Sequence, residues 1–100
     1  MKPYYAVIFT SKLSQNHKGY AEMAHQMETL AKTQNGFLGI VSARNQLGIT
    51  VSYWESLEAI SNWKANTKHL TAQQLGKTKW YDWYHLEICK VERKYEFTRR

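Results

Sequence analysis

The chain has one cysteine, Cys89, and one proline, Pro3, in 100 residues. A single cysteine excludes a disulfide framework and a thiolate metal cluster within the chain. The five glycines are scattered, so there is no phosphate loop and no dinucleotide fingerprint. His17, His25, His69 and His85 are scattered too. No two share the four-residue spacing that puts a ligand pair on one helix face, and no metal site is expected. No apolar run approaches the length of a membrane span. The opening "MKPYYAVIFTSKLS" alternates and lacks the long apolar stretch of a secretion leader, so a cytoplasmic protein is expected. Repeats, linkers and low-complexity segments are absent. One domain is expected over 1–100, with a core at about 4–97 and a basic tail at 94–100.

Acidic residues are also scarce. Eight Asp and Glu stand against fourteen Lys and Arg, for a net charge of +6. That balance favours an anionic partner. It is also met by a solvated basic end, because Lys90, Arg93, Lys94, Arg99 and Arg100 cluster there. Aromatic residues are plentiful instead, with four Trp and seven Tyr. In so short a chain they call for a pocket or a subunit interface.

"YYAVIFTS" (4–11) is β-branched and aromatic on both faces, as in a strand covered on both sides. "KGYAEMAHQMETLAKT" (18–33) repeats Tyr20, Met23, Met27, Leu30 and Ala31 at helical spacing, and "TQNG" ends it, with Gly36 near the C-cap. "FLGIVSARN" (37–45) and "LGITVSYW" (47–54) read as a hairpin turned by Asn45-Gln46. In the second strand Leu47, Ile49, Val51 and Tyr53 share one face. Gly48, Thr50, Ser52 and Trp54 share the other, which is small and polar enough to line a cavity. Ser56 is a helix N-cap, and Leu57, Ile60 and Trp63 face inward from a helix over 57–66. A further helical stretch runs from His69 to Leu75 and stops at Gly76. A long last strand is expected from Trp80 to Val91.

Strand, helix, strand, strand, helix, strand is the order of a ferredoxin-like α+β sandwich. Its four-stranded antiparallel sheet carries the helices on one face. The other face is apolar as well, so two sheets are expected to pack together in a homodimer, forming an α/β barrel. The same strand order occurs in RNA-recognition domains, but "LGITVSYW" lacks their basic and aromatic stacking signature. No nucleic-acid partner and no membrane partner are expected.

Trp63 and His69 carry the chemistry. Trp63 is either core or the flat wall of a pocket between helices and sheet. His69 is either a solvated helix-start residue or a group that donates a hydrogen bond to, or takes a proton from, a bound ring. Lys64, Lys68, Lys77 and Lys79 lie close in sequence and favour an anionic ligand.

"GFLGIVSAR", "GITVSYWESLEAISNWKANTKH" and "KWYDWYHLEICKVER" together resemble the antibiotic biosynthesis monooxygenase (ABM) domain family, over roughly residues 4–97. The resemblance implies a ferredoxin-like subunit that dimerises through its sheets, with a pocket in each subunit. It also implies one of three functions. The first is a cofactor-independent oxygenase acting on an electron-rich aromatic or quinol. The second is a haem-binding or haem-degrading monooxygenase. The third is a non-catalytic dimer that binds a small hydrophobic metabolite. Under the first, Trp63, His69 and Asn62 are the catalytic candidates, and Trp54, Trp63, His69, Thr50 and Ser52 hold a small aromatic, anionic ligand without a cofactor. Under the second, the iron-ligating His of the haem-degrading branch has no counterpart in "LTAQQLG", where Gln73 stands, and His69 is about one helical turn early.

Overall fold

Residues 2–99 are described by a computed structural model. Arg100, counted above in the basic tail, lies outside the described residues, as does Met1. Four strands, β1 (Tyr4–Leu13), β2 (Phe37–Arg44), β3 (Gly48–Trp54) and β4 (Tyr81–Val91), form one sheet in the order β2-β3-β1-β4. Every neighbouring pair is antiparallel. Helices α1 (Tyr20–Ala31), α2 (Leu57–Lys64) and α3 (Thr67–Leu75) complete a ferredoxin-like α+β fold.

Register decides what each face of the sheet presents, because directly paired residues point the same way. Tyr5 pairs with Trp54, Val7 with Ser52, Phe9 with Thr50 and Ser11 with Gly48. This is the helix-bearing face. Trp54, Ala31 of α1, and Ala59 and Ile60 of α2 make the buried core, and Tyr5, Val7, Phe37 and Trp63 pack against it. The opposite face carries Ile8 against Val51 and Thr10 against Ile49, with Val41 beside Val51 on the edge. No helix covers those side chains, and Val41 is 60% exposed.

Local signals explain most element ends. Ser56 caps α2, its Oγ accepting from the Ala59 N–H at 3.0 Å. Asn66 caps α3, its Oδ1 accepting from the N–H groups of Lys68 and His69 at 3.0 and 3.4 Å. Each bond satisfies an amide that the helix cannot reach. The expected continuous run of α2 to residue 66 therefore breaks at Ala65, and α3 starts two residues earlier than expected.

Four other expectations are corrected. The β2–β3 connection spans Asn45 to Leu47 rather than Asn45-Gln46 alone, because Arg44 pairs with Gly48 and the Asn45 N–H donates to the Leu47 carbonyl. Gly36 does not cap α1, which ends at Ala31 with Lys32 in the cap. It turns the chain into β2 at φ 84°, a left-handed value that glycine tolerates. Gly76 does not stop the third helix. Its backbone stays helical, and the chain widens into a π-helical turn, Gly76–Trp80, before β4. Leu57 is exposed, and the inward face of α2 is Ala59, Ile60 and Trp63.

Candidate functional site

Trp54 is the last residue of β3 and is fully buried. Its indole N–H donates to the Ser52 hydroxyl at 2.9 Å, two residues back on the same face. That bond removes the cost of burying the N–H unpaired. The ring of Phe37 meets Trp54 edge-on, with centroids 5.4 Å apart. Trp63 of α2 lies nearly parallel to Trp54 at 6.1 Å. His69 of α3 then stacks on Trp63, with centroids 4.3 Å apart and planes 21° from parallel. Phe37, Trp54, Trp63 and His69 thus form a column of rings running from the core outward.

The chain turn between α2 and α3 builds the outer end of this column. Asn66 holds the first turn of α3 in place, and that turn brings the His69 ring back over Trp63. His69 Nδ1 lies 3.0 Å from the Trp63 carbonyl oxygen. A carbonyl can only accept, so Nδ1 carries the hydrogen and donates it. Nε2 is left with its lone pair. Burial lowers the His69 pKa. The Trp63 carbonyl opposes this by favouring the charged ring, and nearby Lys64 reinforces it. The imidazole is therefore neutral at pH 7, with one fixed tautomer and one basic nitrogen.

The other candidates fall around this column. Thr50 and Ser52 lie on the helix-bearing face and are half-buried, and Ser52 is the partner of Trp54. Trp54 sits behind Trp63, inside the core. Asn62 is exposed on α2. Gln73, at the place of the missing iron ligand, donates to the Lys64 carbonyl at 3.2 Å and ties α3 to α2. Two surface grooves lie elsewhere. One of about 430 Å³ is lined by His25, Met27 and Leu30 of α1 and by Lys68. The other, of about 460 Å³, lies beside Tyr4, Leu38 and Glu55. Among the described residues no group of three or more His, Cys, Asp or Glu is placed to hold a metal ion.

Sequence reasoning missed a second cluster, at the far end of the same face. Arg44 of β2 reaches across the sheet. Its Nη2 donates to the buried Ser11 hydroxyl of β1 and to the Tyr20 hydroxyl of α1. Tyr20 belongs to a run of rings, with Trp80, Tyr81, Phe9 and Tyr84, that meet one another at centroid distances of 5.2 to 5.9 Å. Burial raises the Tyr81 pKa far above that of a free phenol, and a hydrogen bond with Tyr20 adds to it.

No family model matches the chain. The uncharacterized protein YqjZ of Bacillus subtilis is 48% identical over 94 residues, spanning 92% of this chain and 82% of YqjZ. The chain belongs to the YqjZ family. Its fold is that of the ABM proteins. SnoaB, a cofactor-independent oxygenase from Streptomyces nogalater, superposes with a TM-score of 0.78 over 91% of this chain and 95% of its own, at 8% identity. A Caulobacter crescentus protein provisionally named an antibiotic biosynthesis monooxygenase superposes with a TM-score of 0.79 over 92% of each chain, at 11% identity. The family resemblance read from the sequence is borne out in the fold. No helix of the described residues is long and apolar enough to cross a membrane.

Proposed function

We propose that this YqjZ-family protein is a small cofactor-independent oxygenase acting on an electron-rich, acidic aromatic ring, with His69 as its base. The observation that carries this reading is the His69 geometry. Nδ1–H is held by the Trp63 carbonyl, the ring is neutral, and Nε2 is free to take a proton. Of the two roles open to His69, donating to a bound ring or accepting from it, this tautomer favours accepting. Trp63, stacked between Trp54 and His69, holds the plane of the imidazole from behind.

The chemistry then needs no external reductant. Nε2 removes an acidic proton from the phenolic ring system, which becomes electron-rich enough to reduce dioxygen. A ring methylene becomes a carbonyl, one oxygen atom enters the ring and the other leaves as water. The four electrons that dioxygen accepts come from that carbon. SnoaB, which shares the fold, is an oxygenase without a cofactor, and this supports the assignment. The uncovered apolar sheet face supports a homodimer, in which a second copy's sheet covers Ile8, Val51 and Val41.

Oxygen uptake with anthrone-type substrates, which carry the ring methylene, tests this reading. Turnover in air that falls at least about a hundredfold in His69→Ala is expected, in line with the usual worth of a general base. Turnover unchanged by both His69→Ala and Trp63→Ala removes the pair from the mechanism.

A haem-binding reading rests on the same nitrogen. A ligating histidine commonly donates its other N–H to a carbonyl, which fixes the ring and points the free nitrogen at the metal. His69 and the Trp63 carbonyl fit that pattern, so haem would be held through Nε2. Haemin titration separates the two readings: a tight spectral change lost in His69→Ala favours haem, and its absence leaves the oxygenase.

A further inference from the structure

One register row crosses the whole sheet on its helix-bearing side: Arg44 pairs with Gly48, Gly48 with Ser11, and Ser11 with Tyr84. The Arg44 side chain lies along this row. A Cβ on Gly48 would stand 2.1 to 2.6 Å from three guanidinium atoms, so the missing side chain of Gly48 is the passage that Arg44 uses. The guanidinium ends beside Ser11, which is fully buried, and lies 5.3 Å from the Tyr20 ring centroid.

Among the described residues no carboxylate is ion-paired with Arg44; the ion pairs present are Lys32–Glu28 and Lys94–Glu96. A guanidinium has five N–H donors. Both hydrogen bonds described for it leave from Nη2 and go to neutral hydroxyls. The positive charge is thus placed, oriented and uncompensated. Tyr81 lies beside it. Its position depends on the π-helical turn, since its ring rests on Gly76, where a Cβ would come within 2.9 Å. Next to Phe9 the same face opens out. Leu86 and Ile88 of β4 pair with Phe9 and Val7 and are about half exposed. An apolar floor therefore borders a single fixed cation.

We propose that Arg44, with Tyr20 and Tyr81, anchors a binding site for a small aromatic carboxylate. The carboxylate meets the guanidinium, whose planar fork suits it better than a point charge would. Tyr20 and Tyr81 share one hydrogen bond, so the hydroxyl that accepts it keeps its own O–H as a further donor, and the arene lies over Phe9 and Leu86. Along β3 this site is six residues from Trp54, about 20 Å, and it does not depend on the function proposed for His69.

The test is a titration of the full chain with 2-naphthoate and its uncharged counterpart 2-naphthamide, followed by calorimetry and by backbone amide NMR. Saturable binding of the carboxylate alone is expected, with shifts centred on Ser11, Arg44 and Gly48. Arg44→Gln should weaken it at least about tenfold, as for loss of a charge-assisted pair, and Arg44→Lys should recover only part. Absence of saturable naphthoate binding overturns the proposal. So does equal binding of the amide, or shifts centred on Trp63 and His69. Should Arg44→Gln not fold, the wild-type shift map and the acid-to-amide comparison decide the matter on their own.

Discussion

The imidazole of His69 stacks on the indole of Trp63 at 4.3 Å and donates to the backbone carbonyl of that same residue at 3.0 Å. One residue thus fixes both the plane and the tautomer of the other. The consequence is a pH dependence with a definite sign. The folded-state pKa lies below the unfolded value near 6.5, so on acidification the unfolded chain takes up this proton first. Above about pH 7 the group is neutral in both states and contributes no slope. Between 6.5 and the lower folded-state value, stability falls with pH; below that it levels off. Thermal melting of wild type against His69→Asn, which keeps a donor near the Trp63 carbonyl, should show this acid-side loss in the wild type only. NMR titration of the ring should give a midpoint below 6.5. The acid limb of kcat/KM for any turnover should follow that midpoint. A midpoint at or above 6.5 refutes the neutral-base assignment.

Trp54 and Ser52 form the inner end of the column, and their energetics are separable. Trp54→Ala removes a fully buried indole and should cost about 3–5 kcal/mol. Ser52→Ala leaves the indole in place but strips the N–H of its acceptor, at about 1–3 kcal/mol. In the double variant both partners of the bond are gone and no indole N–H is left unpaired, so the two losses should fall short of adding. Urea unfolding of the four proteins measures this. Full additivity would mean that the bond contributes nothing.

Gly36 and Gly19 share a left-handed backbone, at φ 84° and 87°, but not their surroundings. A Cβ at Gly36 would sit 2.6 Å from the Cβ of Ala59, a core residue of α2, whereas at Gly19 it meets nothing within 4 Å. Gly36→Ala therefore pays both backbone strain and a clash in the core, and Gly19→Ala only the strain. Denaturation should show more than about 1 kcal/mol lost in the first and clearly less in the second. Equal losses would show that backbone conformation alone decides both positions.

Local signals carried much of this into the sequence. Ser56 announces α2 because capping is decided within four residues. Trp63 faces inward because helical spacing aligns it with Ile60. Asn66 was equally readable as a cap, and reading it would have placed His69 in the first turn of α3. Contacts set by pairing between distant strands were not legible. Nothing local singles out Arg44; the register aligns it with Gly48, Ser11 and Tyr84, drawn from three other strands. Gly76 reads as a stop, because nothing local shows that Tyr81 will pack on it and hold the widened turn. The Trp63 and His69 spacing was visible, but which nitrogen carries the hydrogen depended on where the chain turned between α2 and α3.

The uncovered sheet face makes a last prediction. Ile8, Val51 and Val41 lie in adjacent strands on the side away from the helices, and Ile49 beside them is about half exposed. An apolar area of this kind facing water favours association, and a flat sheet face with a two-fold axis is its own complement. Light scattering should give the mass of a dimer at micromolar concentration. Val51→Asp places a charge at the middle of that face without touching the core around Trp54, so it should shift the mass to that of a monomer while the helical circular dichroism persists. Because the His69 column lies on the other face of the sheet, the tautomer and pKa of His69 should survive in the monomer. A His69 midpoint that moves to 6.5 on dissociation would instead show that the second copy takes part in burying it.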